Sequence, residues 1–274
     1  MIRDILLKIE SDTSHDPAFD YAVTVAEVFD AHLACIAFGD LVNMPAFMMP
    51  GLPSEALAEI LAASEKSARA AVERFEVAAQ RSHISTEHHL VTQGSLSPGE
   101  AFATMARRFD LSVLQQSGAK GANNDLLIEA ALFGSGRPVM IVPYIQKAGL
   151  KLGHVLCCWD GGAAAARAIN DALPFLRKTE TVEILVVDNE RGKYQTHAAE
   201  IARHLEHHGI KAEVKTISGT HIDAADAILS HAADCSADMI VMGGYGHSRL
   251  RELVLGGATR SILSTMTVPV FMSH

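Results

Sequence analysis

Three glycines, Gly243, Gly246 and Gly256, stand at the spacing G-x2-G-x9-G, with Gly257 directly after the last. Glycine lets a backbone approach a ligand with no Cβ in the way, and the free N–H groups that open a helix favour an anion. Arg249, Arg251 and Arg260 add positive charge to the same segment, in a chain whose formal net charge is −9. A phosphate group is the ligand that suits this chemistry. Two commoner phosphate motifs do not fit. No Lys follows these glycines as a Walker A loop requires, and the dinucleotide fingerprint belongs to the first strand–helix turn of a unit. Glycines after a strand also serve purely structural turns, so the residues alone leave both readings open.

Other reactive side chains form weaker patterns. His204, His207 and His208 occupy i, i+3 and i+4 of one predicted helix, a spacing that suits a metal and equally a polar helix end. His88 and His89 are neighbours in a predicted strand and face opposite ways, so they do not chelate together. Cys35, Cys157, Cys158 and Cys235 show no C-x2-C spacing and read as reduced thiols. Cys235 has Asp234 and Asp238 nearby, and acids raise a thiol's pKa, which makes it a poor nucleophile. No Ser–His–Asp or Cys–His set assembles from spacing, so the sequence names no catalytic base or nucleophile.

The elements that must position the glycines occur twice. Ile5 to Glu10 is an apolar run ending in an acid, and Val155 to Asp160 repeats it 150 positions later. Each run precedes an Ala-rich helical pattern (Pro17 to Phe29, Ala163 to Leu176) and a second apolar run (Leu33 to Phe38, Val182 to Val187). Tyr194 to His208 reads as a helix stopped by Gly209, and Ser54 to Gln80 as a long one. Each half closes on a Pro-Val strand, at Pro138 and at Pro269, 131 positions apart, so the first half is the longer. The Met/Pro-rich stretch Asp40 to Pro53 accounts for much of the surplus, as a loop folded over its own helix or as a lid on a small apolar ligand. Strands alternating with helices predict α/β architecture in two tandem domains, residues 1–146 and 152–274.

The spacing Gly243-x2-Gly246-x9-Gly256, the arm His247-Ser248-Arg249-Leu250 and the closing Val268-Pro269-Val270 resemble the ATP-binding signature of the universal stress protein (UspA) superfamily. The resemblance spans essentially the whole chain as two such domains. It implies a five-stranded parallel sheet per domain, flanked by helices, with the nucleotide over the strand ends. It places Asp160 near the adenosine and the Val187 backbone at adenine. Met242, Gly243, Gly246, Gly256, Gly257, Ala258 and Thr259 then surround ribose and phosphates, with Arg249 and Arg260 as further phosphate contacts. Gly257 departs from the family's Ser or Thr; it keeps the N–H and loses a hydroxyl hydrogen bond worth ~1 kcal/mol. Thr259 is a candidate to supply a hydroxyl instead.

The first half has lost the signature. Gly118-x2-Gly121 survives, but Ala131 stands where the third glycine would be, and Gly134-Ser135 reads as a helix end. Glu10 replaces the shorter acid, and Asp125 and Glu129 bring negative charge that repels a phosphate.

Composition bounds the rest. With 274 residues, 49% hydrophobic, the chain has ample material for a core. Mean hydropathy is +0.16, yet no stretch approaches the ~18 apolar residues of a spanning helix. The acidic balance argues against nucleic acid, and the start lacks a signal-peptide pattern, so the expected location is cytoplasmic. The expectation is a universal stress protein binding ATP or another adenine nucleotide, with or without Mg, in its second domain. Its role would be stress response or signalling rather than turnover. Slow ATP hydrolysis at that site, or a non-nucleotide scaffold with an apolar ligand in the first half, are the alternatives. The resemblance also implies an internal pseudo-dimer of the two domains and a homodimer of whole chains.

Overall fold

The uninterrupted apolar runs become strands buried on both faces, as parallel sheets covered by helices require. The structure is a computed structural model and describes residues 1–11, 16–39, 53–82, 84–92, 96–118, 124–188, 195–218, 223–244 and 257–274. The Met/Pro-rich stretch at 40–52, together with Gly246, Arg249 and Gly256, lies outside the described residues. The chain divides between Arg137 and Pro138 into two units.

The first unit runs β1 (Asp4–Lys8), α1 (Pro17–Phe29), β2 (His32–Phe38), α2 (Ser54–Ser82), β3 (Thr86–Val91), α3 (Pro98–Ala106), β4 (Leu111–Gln115) and α4 (Asp125–Gly134). Its strands pair in parallel in the order β3-β2-β1-β4. Local signals fix the helix ends. Asp16 caps α1 by accepting from the N–H groups of Ala18 and Phe19. Ser97 and Glu100 form a reciprocal capping box at α3.

The second unit contains β5 (Val139–Val142), β6 (His154–Cys158), α5 (Ala163–Asp171), α6 (Leu173–Leu176), β7 (Thr181–Asp188), α7 (Gln195–His207), β8 (Ala212–Ser218), α8 (Ala224–Asp234), β9 (Met239–Gly243), α9 (Ala258–Thr265) and β10 (Val270–Ser273). The order is β5-β10-β9-β6-β7-β8, parallel except for β5, which runs antiparallel to β10. The helix expected over 163–176 is two helices. Pro174 has no N–H to give and sits in the first turn of the second, so the chain re-starts at Leu173. Gly209 takes φ +76 after α7, the left-handed stop its position predicts.

The same sheet order recurs, β3-β2-β1-β4 and β8-β7-β6-β9, and so does a small fastening. Asp110 Oδ2 accepts from the N–H groups of Arg3 and Asp4 at 2.8 and 3.2 Å, pinning the start of β1. Asp238 Oδ2 accepts from those of Gly153 and His154 at 2.9 and 3.0 Å, pinning the start of β6. In each repeat the chain passes from an inner strand, β1 or β6, outward through the next two strands, and returns to the other side of that inner strand as β4 or β9. The reversal creates a crevice at the carboxyl ends of β6 and β9, and of β1 and β4, where open parallel sheets take ligands.

Candidate functional site

At the crevice of the second unit, the chain leaves β6 through Trp159 and Asp160. The Trp159 N–H continues the strand by donating to Leu185 O at 2.8 Å. Asp160 is exposed, and its Oδ1 accepts from the Gly162 N–H at 2.7 Å. The turn needs a glycine at Gly161 for its backbone, whereas a Cβ on Gly162 would displace the Asp160 carboxylate. Gly161 has φ +75, and a Cβ on Gly162 would lie 2.9 Å from Asp160 Oδ1. A carboxylate is thereby held at the mouth of the crevice, just before α5 begins.

Across the crevice, Met242 is buried in β9 and Gly243 ends the strand. A Cβ on Gly243 would stand 2.6 Å from Ala165 N and 2.7 Å from the Ala164 carbonyl carbon. The close neighbour that demands glycine here is therefore the backbone of α5, not only a ligand as the residue type alone suggests. Val187 is half-buried near the end of β7, in register with Ile217. Gly257 is the N-cap of α9, extended at φ −68 and ψ 153, with no side chain to cap the helix. Its carbonyl accepts from the N–H groups of Arg260 and Ser261. Ala258 is half-buried and Thr259 is buried, whereas Arg260 is exposed in the first turn. Asp160, Val187, Gly243, Gly257 and Arg260 thus all belong to strand ends or helix starts of one sheet.

Sequence reasoning missed a brace beside Gly244. The Gly244 N–H donates to Ser273 O, and His274 Nδ1 bonds the Gly244 carbonyl, both at 2.9 Å. Ser273 Oγ donates to Asp171 Oδ2 at 2.8 Å, and Arg167 Nη1 to His274 O at 3.0 Å. A polar Ser-His pair closing an apolar strand is the only signal the sequence carries for it.

The corresponding place in the first unit is filled by its own side chains. Glu10, at the end of β1, accepts from Lys8 Nζ at 2.6 Å, and both side chains are 8% exposed. Asn124, before α4, donates through Nδ2 to Glu10 Oε1 at 2.7 Å and to Gln115 O at 2.9 Å. The Glu10 N–H donates to Asp16 Oδ2, and the Asn124 N–H to Ser117 Oγ. Burial holds the Asp16 carboxyl above the ordinary carboxylate range, against the lowering effect of the N–H groups that donate to it. Asp125 accepts from Ser117 Oγ at 2.6 Å. Lys8 and Asn124 were not singled out by spacing; a lysine inside the run Ile5 to Ile9 was the available signal.

A second buried cluster lies near the amino ends of β6 and β7. His231, on α8, bonds Glu183 Oε1 through Nε2, and His154 Nε2 stands 3.6 Å from Glu183 Oε2. Burial raises the Cys235 thiol first, and Glu183 raises it further, so the acid responsible is neither Asp234 nor Asp238. His204 and His208 stack edge to face at 4.8 Å, with Arg177 Nη2 donating to His208 Nδ1. Among the described residues, no group of three or more His, Cys, Asp or Glu is placed to hold a metal, and no helix is long and apolar enough to cross a membrane.

Residues 151–274 match the model of the Universal stress protein family. A curated relative, a universal stress protein of Synechocystis sp., is 28% identical over 156 residues, covering 56% of this chain. The match spans about half of that relative, 51% of its length. The crystal structure of a universal stress protein from Archaeoglobus fulgidus superposes with a TM-score of 0.73 at 19% identity, covering 97% of this chain and 96% of the other. A Pseudomonas aeruginosa structure named for the same family gives 0.61 at 16% identity, covering 98% and 92%. At those identities the structural likeness speaks to the fold.

Proposed function

We propose, from the match of residues 151–274 to the Universal stress protein family, that the second unit binds an adenine nucleotide of the ATP type. One contrast carries this reading. The exposed Asp160 and the glycine-capped start of α9 flank the second unit's crevice, whereas the same place in the first unit is filled by Lys8, Glu10 and Asn124. The N–H groups at the α9 terminus and the exposed Arg260 suit phosphate oxygens. Asp160 suits ribose hydroxyls, and the Val187 backbone suits the adenine edge. Gly246, Gly256 and Arg249 complete the set by sequence. A Mg ion would be held chiefly by the phosphates themselves, as that ion commonly is.

The protein then has two domains and one working site, and acts by binding, in stress response or signalling. Free thiols at all four cysteines accord with a cytoplasmic setting. Pairing of whole chains is part of the same proposal and is read by sedimentation. The deciding experiment identifies any nucleotide that co-purifies with the full chain by mass spectrometry, then measures ATP binding and phosphate release. Gly246→Val should abolish binding by adding a side chain to the loop. Absence of both a bound nucleotide and ATP affinity overturns the reading. Phosphate release that is lost in Gly246→Val would make the site a slow ATPase, with Arg249 or Arg260 steadying phosphate charge.

A further inference from the structure

β8 is the end strand of the second unit. It pairs with β7 along its whole length, in unbroken parallel register from Val182↔Ala212 to Asp188↔Ser218. No further strand follows it in the sheet order. Its outer edge therefore presents main-chain N–H and C=O groups without a ladder partner among the described residues, a ready template for another strand. Prolines and bulges commonly guard such an edge. β8 contains no proline, and its register shows no bulge. Glu213, Val214, Lys215 and Thr216 are all exposed, Val214 at 43%. The side chains of Glu213 and Lys215 make no hydrogen bond or ion pair with another described residue. The outer strand of the first unit differs. There Glu87 of β3 takes the register place of Glu213 and bonds His89 of its own strand at 2.9 Å, while His88 bonds Glu76 of α2 at 2.8 Å. The charges of β3 are used inside the unit; those of β8 are left over.

We propose that this edge pairs with β8 of a second copy of the chain, antiparallel, about a two-fold axis at Val214. This rests on the pairing of whole chains given above and names its surface. A closed two-fold contact needs a strand that is complementary to its own reverse, and Glu213-Val214-Lys215 is such a strand. About Val214, Glu213 faces Lys215 of the second copy, Lys215 faces its Glu213, and Val214 meets its own counterpart. Moving the axis to Glu213 or to Lys215 sets like charges against each other. Opposite charges on facing strands stabilise the pair and like charges oppose it, so the two charges select one register.

The test is sedimentation of the full chain over a range of concentrations. Wild type should pair as concentration rises, less so at high salt, which screens exposed charges. Lys215→Glu sets like charges at both contacts and should weaken pairing about 10-fold or more, and Glu213→Lys should do the same. The two substitutions together restore opposite charges and should recover wild-type pairing. Both positions are exposed, so the thermal midpoint of each variant should match the wild type measured at a dilution where chains are single. Hydrogen exchange of the β8 amides should slow with concentration in the wild type and the double variant, and not in either single variant. Pairing unchanged in Lys215→Glu, or lost there and not recovered in the double variant, overturns the β8 assignment and leaves whole-chain pairing to another surface. A wild type that stays single at every concentration overturns whole-chain pairing itself, and this assignment with it.

Discussion

Beyond the carboxyl ends of β1 and β4, Asn124 donates its side-chain amide to Glu10, 114 positions away in sequence, at 2.7 Å. Glu10 in the first unit and Asp160 in the second both follow the inner strand of a sheet with the same order. The longer acid is drawn inward and saturated by Lys8 and Asn124; the shorter one turns onto Gly162 and stays exposed. A carboxylate neutralised by an internal lysine offers nothing to a ribose, and a lysine bound to it offers nothing to a phosphate. The first unit thus keeps the architecture of a ligand crevice and uses it for internal bonding.

Removing Lys8 should therefore damage stability rather than binding. Lys8→Met leaves Glu10 buried with its charge partly unmatched, which costs ~3–5 kcal/mol when one partner of a buried pair is lost. Urea unfolding of the full chain should show the loss in the transition that belongs to the first unit, while ATP affinity stays at the wild-type value. A loss below ~1 kcal/mol would mean that solvent screens the pair as it does at a surface.

Gly243→Ala places a Cβ where Ala164 and Ala165 already are, 2.6 Å from a backbone nitrogen that cannot rotate away. The cost expected of such overpacking is ~1–3 kcal/mol, and α5 must shift to relieve it. Thermal unfolding should show a lowered midpoint for Gly243→Ala even with no nucleotide present. A variant that lost only ATP affinity would show that the glycine serves the ligand alone.

Much of this was legible beforehand because it is local. The runs around Leu6 and Leu156 announce buried parallel strands, and Gly209 announces a helix stop, since each depends only on its immediate neighbours. The nucleotide segment was legible as a spacing of glycines, but not the reason for Gly243, because the backbone it meets lies 78 positions earlier at Ala165. Glu183 is illegible for the same reason, since its partner His231 lies 48 positions on; Lys8 pairs with Glu10 only two positions away, but Asn124, which completes that cluster, comes from 114 positions beyond Glu10. The break between α5 and α6 was a local signal underweighted, since Ala-rich sequence reads as one helix until Pro174 is considered.

The thiols should be inert in the folded protein. Burial pushes Cys35 and Cys157 up to about 12. Cys158 is raised as well, by burial first and then by Cys157, Asp160 and Glu183. A thiol at that value is roughly one part in ten thousand thiolate at pH 8, and the thiolate is the reactive form. Titration with a disulfide reagent at pH 8 should detect at most Cys235, slowly, in the native chain, and all four cysteines in guanidinium. Rapid labelling of two or more native thiols would show that the strands carrying them open readily.

Glu183 offers the sharpest test of how a buried charge is tolerated. It stands beside Leu156 of β6, and in the first unit the equivalent register partner of Leu6 is Ala34, so the architecture does not need an acid there. His231 from α8 bonds one carboxylate oxygen, while His154 approaches the other at 3.6 Å and gives its Nδ1 to the Cys235 carbonyl. His231→Leu removes the direct partner and leaves the buried carboxylate with His154 at 3.6 Å, a change expected to cost ~3–5 kcal/mol. Adding Glu183→Leu removes the stranded charge and supplies apolar contacts, so the double variant should be more stable than His231→Leu alone. A double-mutant cycle from urea unfolding at pH 7 should return a coupling of ~1–3 kcal/mol between the two positions. Additive losses would show instead that His154 carries the interaction, and His154→Leu would then be the variant that unfolds the second unit.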